Sequence, residues 1–354
     1  MKAPKISVVM PVRDGARWLT ETIQSVLAQT LPDFEFIIID DGSTDDSPRI
    51  VENSSRGDAR VAIIRQQQLG LVAALNCGLT AARGELIARI DADDIASPQR
   101  LERQYQYLEK HPEVGLLGTW AEEIDEQSSV CGIRRPPSRP DELARLLIRI
   151  NPFLHSSTMM RKSVVQKVGS YRTAFEGAED YDLWLRMAEV TDTANMPECL
   201  LQYRIHPRST SYSARVRQLF STRLAQRGAQ ARRVTGSDPT WQLSAPPDWH
   251  ADSPPTIFAD LVKLYRFLDL ANSENIPRAK SQKIDISPLS DRSIVLSHAE
   301  REIAQLVLLN LLKSNMSSAV PKPLLLWHMF RLHPIRAINL GYKNLWKDRS
   351  WNRS

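Results

Sequence analysis

Between Lys5 and Ile90 the chain alternates short β-branched runs with segments of helical spacing, and few folds accommodate that alternation. Lys5–Val12 (KISVVMPV), Phe34–Ile39 (FEFIII), Val61–Ile64 (VAII) and Glu85–Ile90 (ELIARI) have the composition of strands. Leu19, Ile23, Val26 and Leu27 recur at helical spacing after the first, and a helix is predicted over Leu71–Ala82, closed by Arg83-Gly84. Such repetition implies a mostly parallel sheet covered by helices, whose ligands bind beyond the carboxyl ends of the strands. Two of the four strands end in acid there. Asp40-Asp41-Gly42-Ser43 follows the second, and Asp91-Ala92-Asp93-Asp94 follows the fourth. Three carboxylates within four positions repel one another at neutral pH, so something must offset that cost.

The alternation weakens beyond the fourth strand. Ser97-Pro98 reads as the cap and first residue of a helix running to Lys110, Val114–Asp125 as a returning strand, and Asp141–Ile150 as a short helix. Gly177–Val190 (GAEDYDLWLRMAEV) sets acids where a helix begins. After about Ser213 the strand–helix pattern stops. Val216, Leu219, Phe220 and Leu224 mark an Arg-rich amphipathic helix, Ser244–Pro255 resembles a linker, and the remainder looks helical and irregular. Two regions are therefore expected, residues 1–213 and a basic, mostly helical 214–354.

Hydrophobic residues make up 42% of the 354 and charged residues 25%, which places the chain among ordinary globular proteins. Cys77, Cys131 and Cys199 are scattered and form no CxxC pair, favouring free thiols in a reducing compartment over disulfides or a zinc site. The N-terminal apolar run is too short for a signal-peptide core, and no stretch of about 18 apolar residues supports a membrane span. A cytoplasmic protein is the expectation. The net charge of +5 is uneven. From Cys199 to Ser237 there is no acid, while Arg204, Arg208, Arg215, Arg217, Arg223, Arg227, Arg232 and Arg233 all fall there. The C-terminus is basic again, with Lys322, Arg331, Arg336, Lys343, Lys347, Arg349 and Arg353. Such bias suggests an anionic partner.

Each candidate site has a bland and a chemical reading. Asp91-Ala92-Asp93 is either a solvated acidic turn or a site for Mg²⁺ or Mn²⁺, which take one or two carboxylates together with substrate phosphates. Asp40-Asp41 is either a turn in which Asp41 or Ser43 caps the next helix, or a carboxylate that accepts the N–H of a pyrimidine ring. Glu179-Asp180 either complements a helix N-terminus or supplies a general base. His206 and His155 are each structural groups or ligands of metal or phosphate.

Taken in order, these segments are specific. The stretches SVVMPVRDGARWLTETIQSVLAQT, FEFIIIDDGSTDDS, GLVAALNCGLTAARGELIARIDADDIASPQRL, NPFLHSSTMMRKS, EDYDLWLRM and YRIHPRSTS, over roughly residues 5–213, resemble a family 2 glycosyltransferase of the GT-A fold. The resemblance implies a Rossmann-like, mostly parallel sheet flanked by helices, with a helical C-terminal extension. It implies that Pro11 and Val12 line a nucleotide pocket through backbone groups and that Asp41, with Asp40 beside it, holds the base. Asp91 would contact ribose, Asp93 would ligate Mn²⁺ or Mg²⁺ on the diphosphate, His206 would reach the metal or diphosphate, and Asp180 would be the catalytic base. The implied activity is inverting transfer of a sugar from a nucleotide donor, with uracil the expected base, to a hydroxyl of a glycan or lipid-linked acceptor, as in polysaccharide or cell-envelope glycan synthesis. Two departures are visible: Gln68-Leu69-Gly70 stands where the family often has Asn-x-Gly, and Arg13-Asp14 where it often has Tyr-Asn.

An alternative from another class is a catalytically silent scaffold that binds nucleotide-sugars. Against it, Asp41, Asp91, Asp93 and Asp180 are all present. A nucleotidyltransferase lacks its Gly-rich loop here, a dinucleotide oxidoreductase its GxGxxG, and nucleic-acid binding has no recognised module. The C-terminal stretch PLLLWHMFRLHPIRAINLGYKNLWKDRSW mixes Leu, Trp, Phe and Tyr with Lys and Arg. It reads equally as a helix packed on the catalytic domain and as an interfacial segment holding the protein peripherally on the cytoplasmic face of an anionic membrane.

Overall fold

The computed structural model describes residues 3–206, 215–248, 258–269, 287–289, 296–313 and 322–332. Its contacts divide the chain into two compact units, Met1–Pro246 and Pro247–Ser354. The division falls later than residue 213, because the helix after that point belongs to the first unit.

The first unit is built on one mixed sheet. Strands β1 (Ile6–Val12), β2 (Phe34–Asp41), β3 (Val61–Gln66) and β4 (Leu86–Arg89) run parallel in the order β3-β2-β1-β4. Every residue of β1, β2 and β4 is buried, as expected for strands covered on both faces. Four further strands extend the sheet: β5 (Ile95–Ala96), β6 (Val114–Ile124), β8 (Met159–Arg161) and β9 (Asp192–Arg204), in the order β4-β8-β6-β9-β5. Strand β8 is antiparallel to both β4 and β6, and β7 (Val130–Arg134) pairs with β6 as a hairpin. Pro11 is tolerated in central β1 because β4 pairs only as far as Val9. Val9 O accepts from Ile90 N, so the missing N–H of Pro11 falls on the same edge, past the point where β4 has turned away.

The helices are α1 (Leu19–Leu27), α2 (Ser47–Ser54), α3 (Leu71–Ala81), α4 (Arg100–Lys110), α5 (Pro140–Leu147), α6 (Lys162–Val168), α7 (Glu179–Met187) and α8 (Arg215–Thr235). Helix α4 begins at Arg100, not Ser97. Ser97 O accepts from Arg100 N in a turn, and no side chain caps the helix. Helix α3 lies directly on the sheet. A Cβ at Gly78 would overlap Val9 Cγ1 and come within 2.8 Å of Ile39 Cδ1, so glycine sets the helix–sheet distance. Helix α8 buries Phe220, Ser221, Leu224, Ala225, Gly228 and Ala229, packs on α7, and donates from Ser221 Oγ to Glu176 O. In the second unit α9 (Ala259–Leu268), α10 (His298–Lys313) and α11 (Lys322–Leu332) pack in succession. No described helix is long and apolar enough to cross a membrane. Most of the basic C-terminal segment, residues 333–354, lies outside the described residues, as does Arg208.

Candidate active site

The loops that follow β1, β2 and β4 meet at the carboxyl edge of the sheet. Asp14 adopts φ 50°, and its Oδ1 accepts from Thr44 N at 2.7 Å, while Gly15 N donates to Ser47 Oγ and Ala16 N to Asp45 Oδ2. The first two loops are thus laced together by carboxylates and hydroxyls. Asp40 is buried, with Oδ1 accepting from Ser43 N at 3.0 Å. Neither Asp41 nor Ser43 caps the next helix, whose N-cap is Asp46. Asp41 Oδ1 accepts from Gln66 Nε2 at 2.6 Å and Leu69 N at 2.8 Å, and Oδ2 from Gly70 N at 2.9 Å. A carboxylate has about four acceptor positions, so these three bonds leave roughly one on Oδ2. Asp41 therefore holds the start of α3 and keeps capacity for one further N–H.

The acidic turn after β4 is held from beneath. Arg204, at the end of β9, is fully buried. Its backbone N donates to Asp94 Oδ1 at 2.8 Å, its Nε to Asp93 O at 2.8 Å, its Nη1 to Asp125 O and Ser128 Oγ, and its Nη2 to Glu21 Oε2. Two residues further on, His206 Nε2 lies 2.8 Å from Asp93 Oδ2, and its ring packs 4.5 Å from that of Trp18. Asp91, Asp93 and Asp94 each present a carboxylate oxygen within 4.8 Å of the others. Burial, Asp91 and the opposing pull of His206 leave the Asp93 carboxyl raised, and burial with Asp93 and Asp91 lifts Asp94 well above the usual carboxylate range. Among the described residues, Asp94 Oδ2 is buried without a hydrogen-bond partner. This donor set fits a hard divalent cation, which takes oxygen ligands and would relieve the mutual repulsion.

The second acidic pair sits at the start of α7. Glu179 Oε2 accepts from Gly177 N at 2.8 Å. Asp180 Oδ1 accepts from Tyr181 N at 2.6 Å and Oδ2 from Asn151 Nδ2 at 2.8 Å. Burial, then Asp180, pushes Glu179 up to about 7. Burial also raises Asp180, against the Tyr181 N–H, Asn151 and Arg89. Asn76 on α3 clasps the Tyr171 backbone from both sides, Nδ2 to O at 2.9 Å and Oδ1 from N at 3.1 Å. Within α7, Asp182 pairs with Arg186 one turn on and with Arg172, and the Arg172 pair fixes the helix to the segment before it. His155 takes no part in the metal group. Its Nε2 meets Tyr171 OH at 2.8 Å, and burial followed by Arg89 holds its pKa well below the usual imidazole value.

The fold brings Asp91, Asp93 and His206 together at the turn after β4, sets Asp40 and Asp41 at the end of β2, and leaves Asp180 within electrostatic reach of Asp91. Pro11 and Val12 are buried in register with Ile39 and Asp40. Sequence reasoning gave no role to Asp94, Asn76, Asn151, Trp18 or Arg89. Arg204 entered only as one of a basic run, yet it is an internal strut. Arg232 of the same run pairs with Glu189 and Asp238. A buried cation in an otherwise apolar strand is a signal that could have found Arg89, since such a group demands a partner.

Residues 7–169 match the family described as "Glycosyl transferase family 2". The chain is 35% identical over 213 residues to the O-antigen biosynthesis glycosyltransferase WbnJ of Escherichia coli, covering 59% of this chain and 83% of that protein. Among solved structures, Staphylococcus aureus TarS 1–349 in complex with UDP-GlcNAc superposes with a TM-score of 0.56 at 14% identity, over 96% of this chain and 91% of that one. The mannosyltransferase PcManGT of Pyrobaculum calidifontis, solved with GDP-Man and Mn²⁺, gives a TM-score of 0.50 at 19% identity, over 99% and 89%. The sheet, the ordered motifs and these likenesses agree, and the fold is the GT-A fold. The chain belongs to glycosyl transferase family 2.

Proposed function

We propose that this enzyme transfers a sugar from a UDP-sugar to a hydroxyl of a glycan or lipid-linked acceptor, with inversion, in the synthesis of a polysaccharide or cell-envelope glycan. The observation that carries this reading is the cluster of Asp91, Asp93 and Asp94 carboxylates at the end of β4, with His206 Nε2 2.8 Å from Asp93 Oδ2.

Asp41 supports uracil over guanine. Roughly one acceptor position remains on it, which suits the single ring N–H of uracil, whereas guanine offers two donors on one edge. Asp91 would take the ribose. Asp93 would hold Mn²⁺ or Mg²⁺, with His206 and Asp94 beside it. When bound, such an ion supplies the charge neutralisation that lets a nucleoside diphosphate leave. Asp180 accepts the proton of the acceptor hydroxyl as that oxygen attacks from the face opposite the diphosphate, and one displacement inverts the centre. Asn151 and the Tyr181 N–H hold the Asp180 carboxylate in place throughout. The relative WbnJ, named for O-antigen biosynthesis, supports the polysaccharide setting. The C-terminal region would bind the acceptor or an anionic membrane surface, and α11 exposes Trp327 with Arg331 stacked over its ring.

The test is Asp180→Asn. Calorimetric UDP binding should stay within about twofold of wild type while sugar transfer falls by roughly 10²–10⁴. Wild-type turnover in that variant would sink the role of the base.

A further inference from the structure

Gln66 closes the edge strand β3, and the parallel register sets it directly opposite Asp41 at the end of β2. A carboxylate only accepts hydrogen bonds, so the half-buried Gln66 amide presents its NH₂ group, with Nε2 2.6 Å from Asp41 Oδ1. Leu69 N donates to the same oxygen at 2.8 Å, and Gly70 N donates to Oδ2 at 2.9 Å. Among the described residues, Oδ1 therefore has both of its acceptor positions filled, whereas Oδ2 has one filled and one open. The segment that brings these donors packs tightly on the end of β2. A Cβ at Gly42, whose φ is 70°, would lie 2.9 Å from Gln68 N. Leu69 N and Gly70 N are backbone groups leading into α3, but the Gln66 donor belongs to a side chain. The identity of residue 66 thus decides how much of Oδ1 is open.

We propose that Gln66 is a specificity-determining residue that excludes guanine by filling Asp41 Oδ1, leaving Oδ2 to the single ring N–H of uracil. This rests on the reading of Asp41 as the group that holds the base. Guanine carries two neighbouring donors, N1–H and the N2 amino group, which pair with a carboxylate through both of its oxygens. With Oδ1 filled, one of those donors gives up water without gaining a partner. Uracil sets N3–H between two carbonyls and needs one acceptor. Without the Gln66 amide, each oxygen of Asp41 has an open position, which is the arrangement that guanine requires.

The experiment titrates UDP, GDP and ADP calorimetrically into the full chain with Mn²⁺ present, for wild type, Gln66→Met, Gln66→Ala and Gln66→Lys. Wild type should favour UDP over GDP. Gln66→Met keeps the side-chain length and loses the donor. The ratio of GDP to UDP affinity should then rise about tenfold or more, the factor that one hydrogen bond to a charged group supplies. Gln66→Ala should shift the ratio the same way, and it decides the matter where the methionine variant does not fold. Gln66→Lys keeps an N–H donor of similar reach and should retain the wild-type ratio. ADP separates pairing from space. Adenine is also a purine, but it sets a ring acceptor, N1, beside its amino group, so its affinity relative to UDP should not rise. An unchanged GDP ratio in the variants without a donor, or GDP and ADP rising together, would overturn the inference and leave the UDP reading standing. Wild type that binds no nucleotide, or that favours GDP, would overturn both.

Discussion

Replacing Arg204 by methionine removes four hydrogen bonds from beneath the acidic turn while keeping most of the side-chain volume. The guanidinium donates to Asp93 O, Asp125 O, Ser128 Oγ and Glu21 Oε2. Glu21 is 44% exposed and can rehydrate. The two carbonyls lose their donor inside the fold, and each such loss costs about 1–3 kcal/mol. A total of about 4 kcal/mol follows, in line with the roughly 3–5 kcal/mol typical when one partner of a buried ionic network is removed. In a unit of this size each kcal/mol shifts the melting temperature by about 2–4 °C, so Arg204→Met should melt about 8–16 °C below wild type in a thermal scan. Arg204→Lys should lose less, since an ammonium retains charge and reaches one or two of the partners. The same loss frees the Asp93 carbonyl, so cation-dependent UDP binding should weaken even below the melting transition. A melting temperature within about 2 °C of wild type would refute the strut.

Two further outcomes are expected. Gly78→Ala should destabilise by about 1–3 kcal/mol despite better helix propensity, because its methyl collides with Val9 and Ile39, and Val9→Ala should restore part of the loss in urea denaturation. Burial holds the folded-state pKa of Glu179 at about 7, above that of the unfolded chain, so its contribution to stability is full below the unfolded value and is lost as pH rises through 7. Glu179→Gln should flatten the fall in melting temperature across that window, and an unchanged slope would exclude Glu179 as its source.

What the sequence made legible was whatever depended on local pattern. Buried parallel strands are apolar at most positions, so Ile6–Val12, Phe34–Asp41 and Leu86–Arg89 stood out, and the acids at or just after two of their ends located the site edge. Strand β9 was not legible. It contains Pro197 and Glu198, and its pairing with β6 skips both, with Met196 opposite Thr119 and Cys199 opposite Trp120. A bulge absorbs the proline, and no alternation survives to betray the strand. Arg204 was misread for a related reason. Charge counted along a sequence cannot distinguish an arginine on a solvated helix from one whose partners lie 76 to 183 residues away. Asn76 and Asn151 are similar: each serves a residue distant in sequence, Tyr171 and Asp180, through contacts that only the folded sheet creates.

The most direct test of the nucleotide-sugar reading is calorimetric titration of UDP and GDP into wild type and Asp93→Ala, with and without Mn²⁺. The expected result is UDP binding that Mn²⁺ strengthens in wild type and that Asp93→Ala makes insensitive to the ion, with GDP weaker. Binding of neither nucleotide under any condition would contradict the donor site and leave a fold retained for some other purpose.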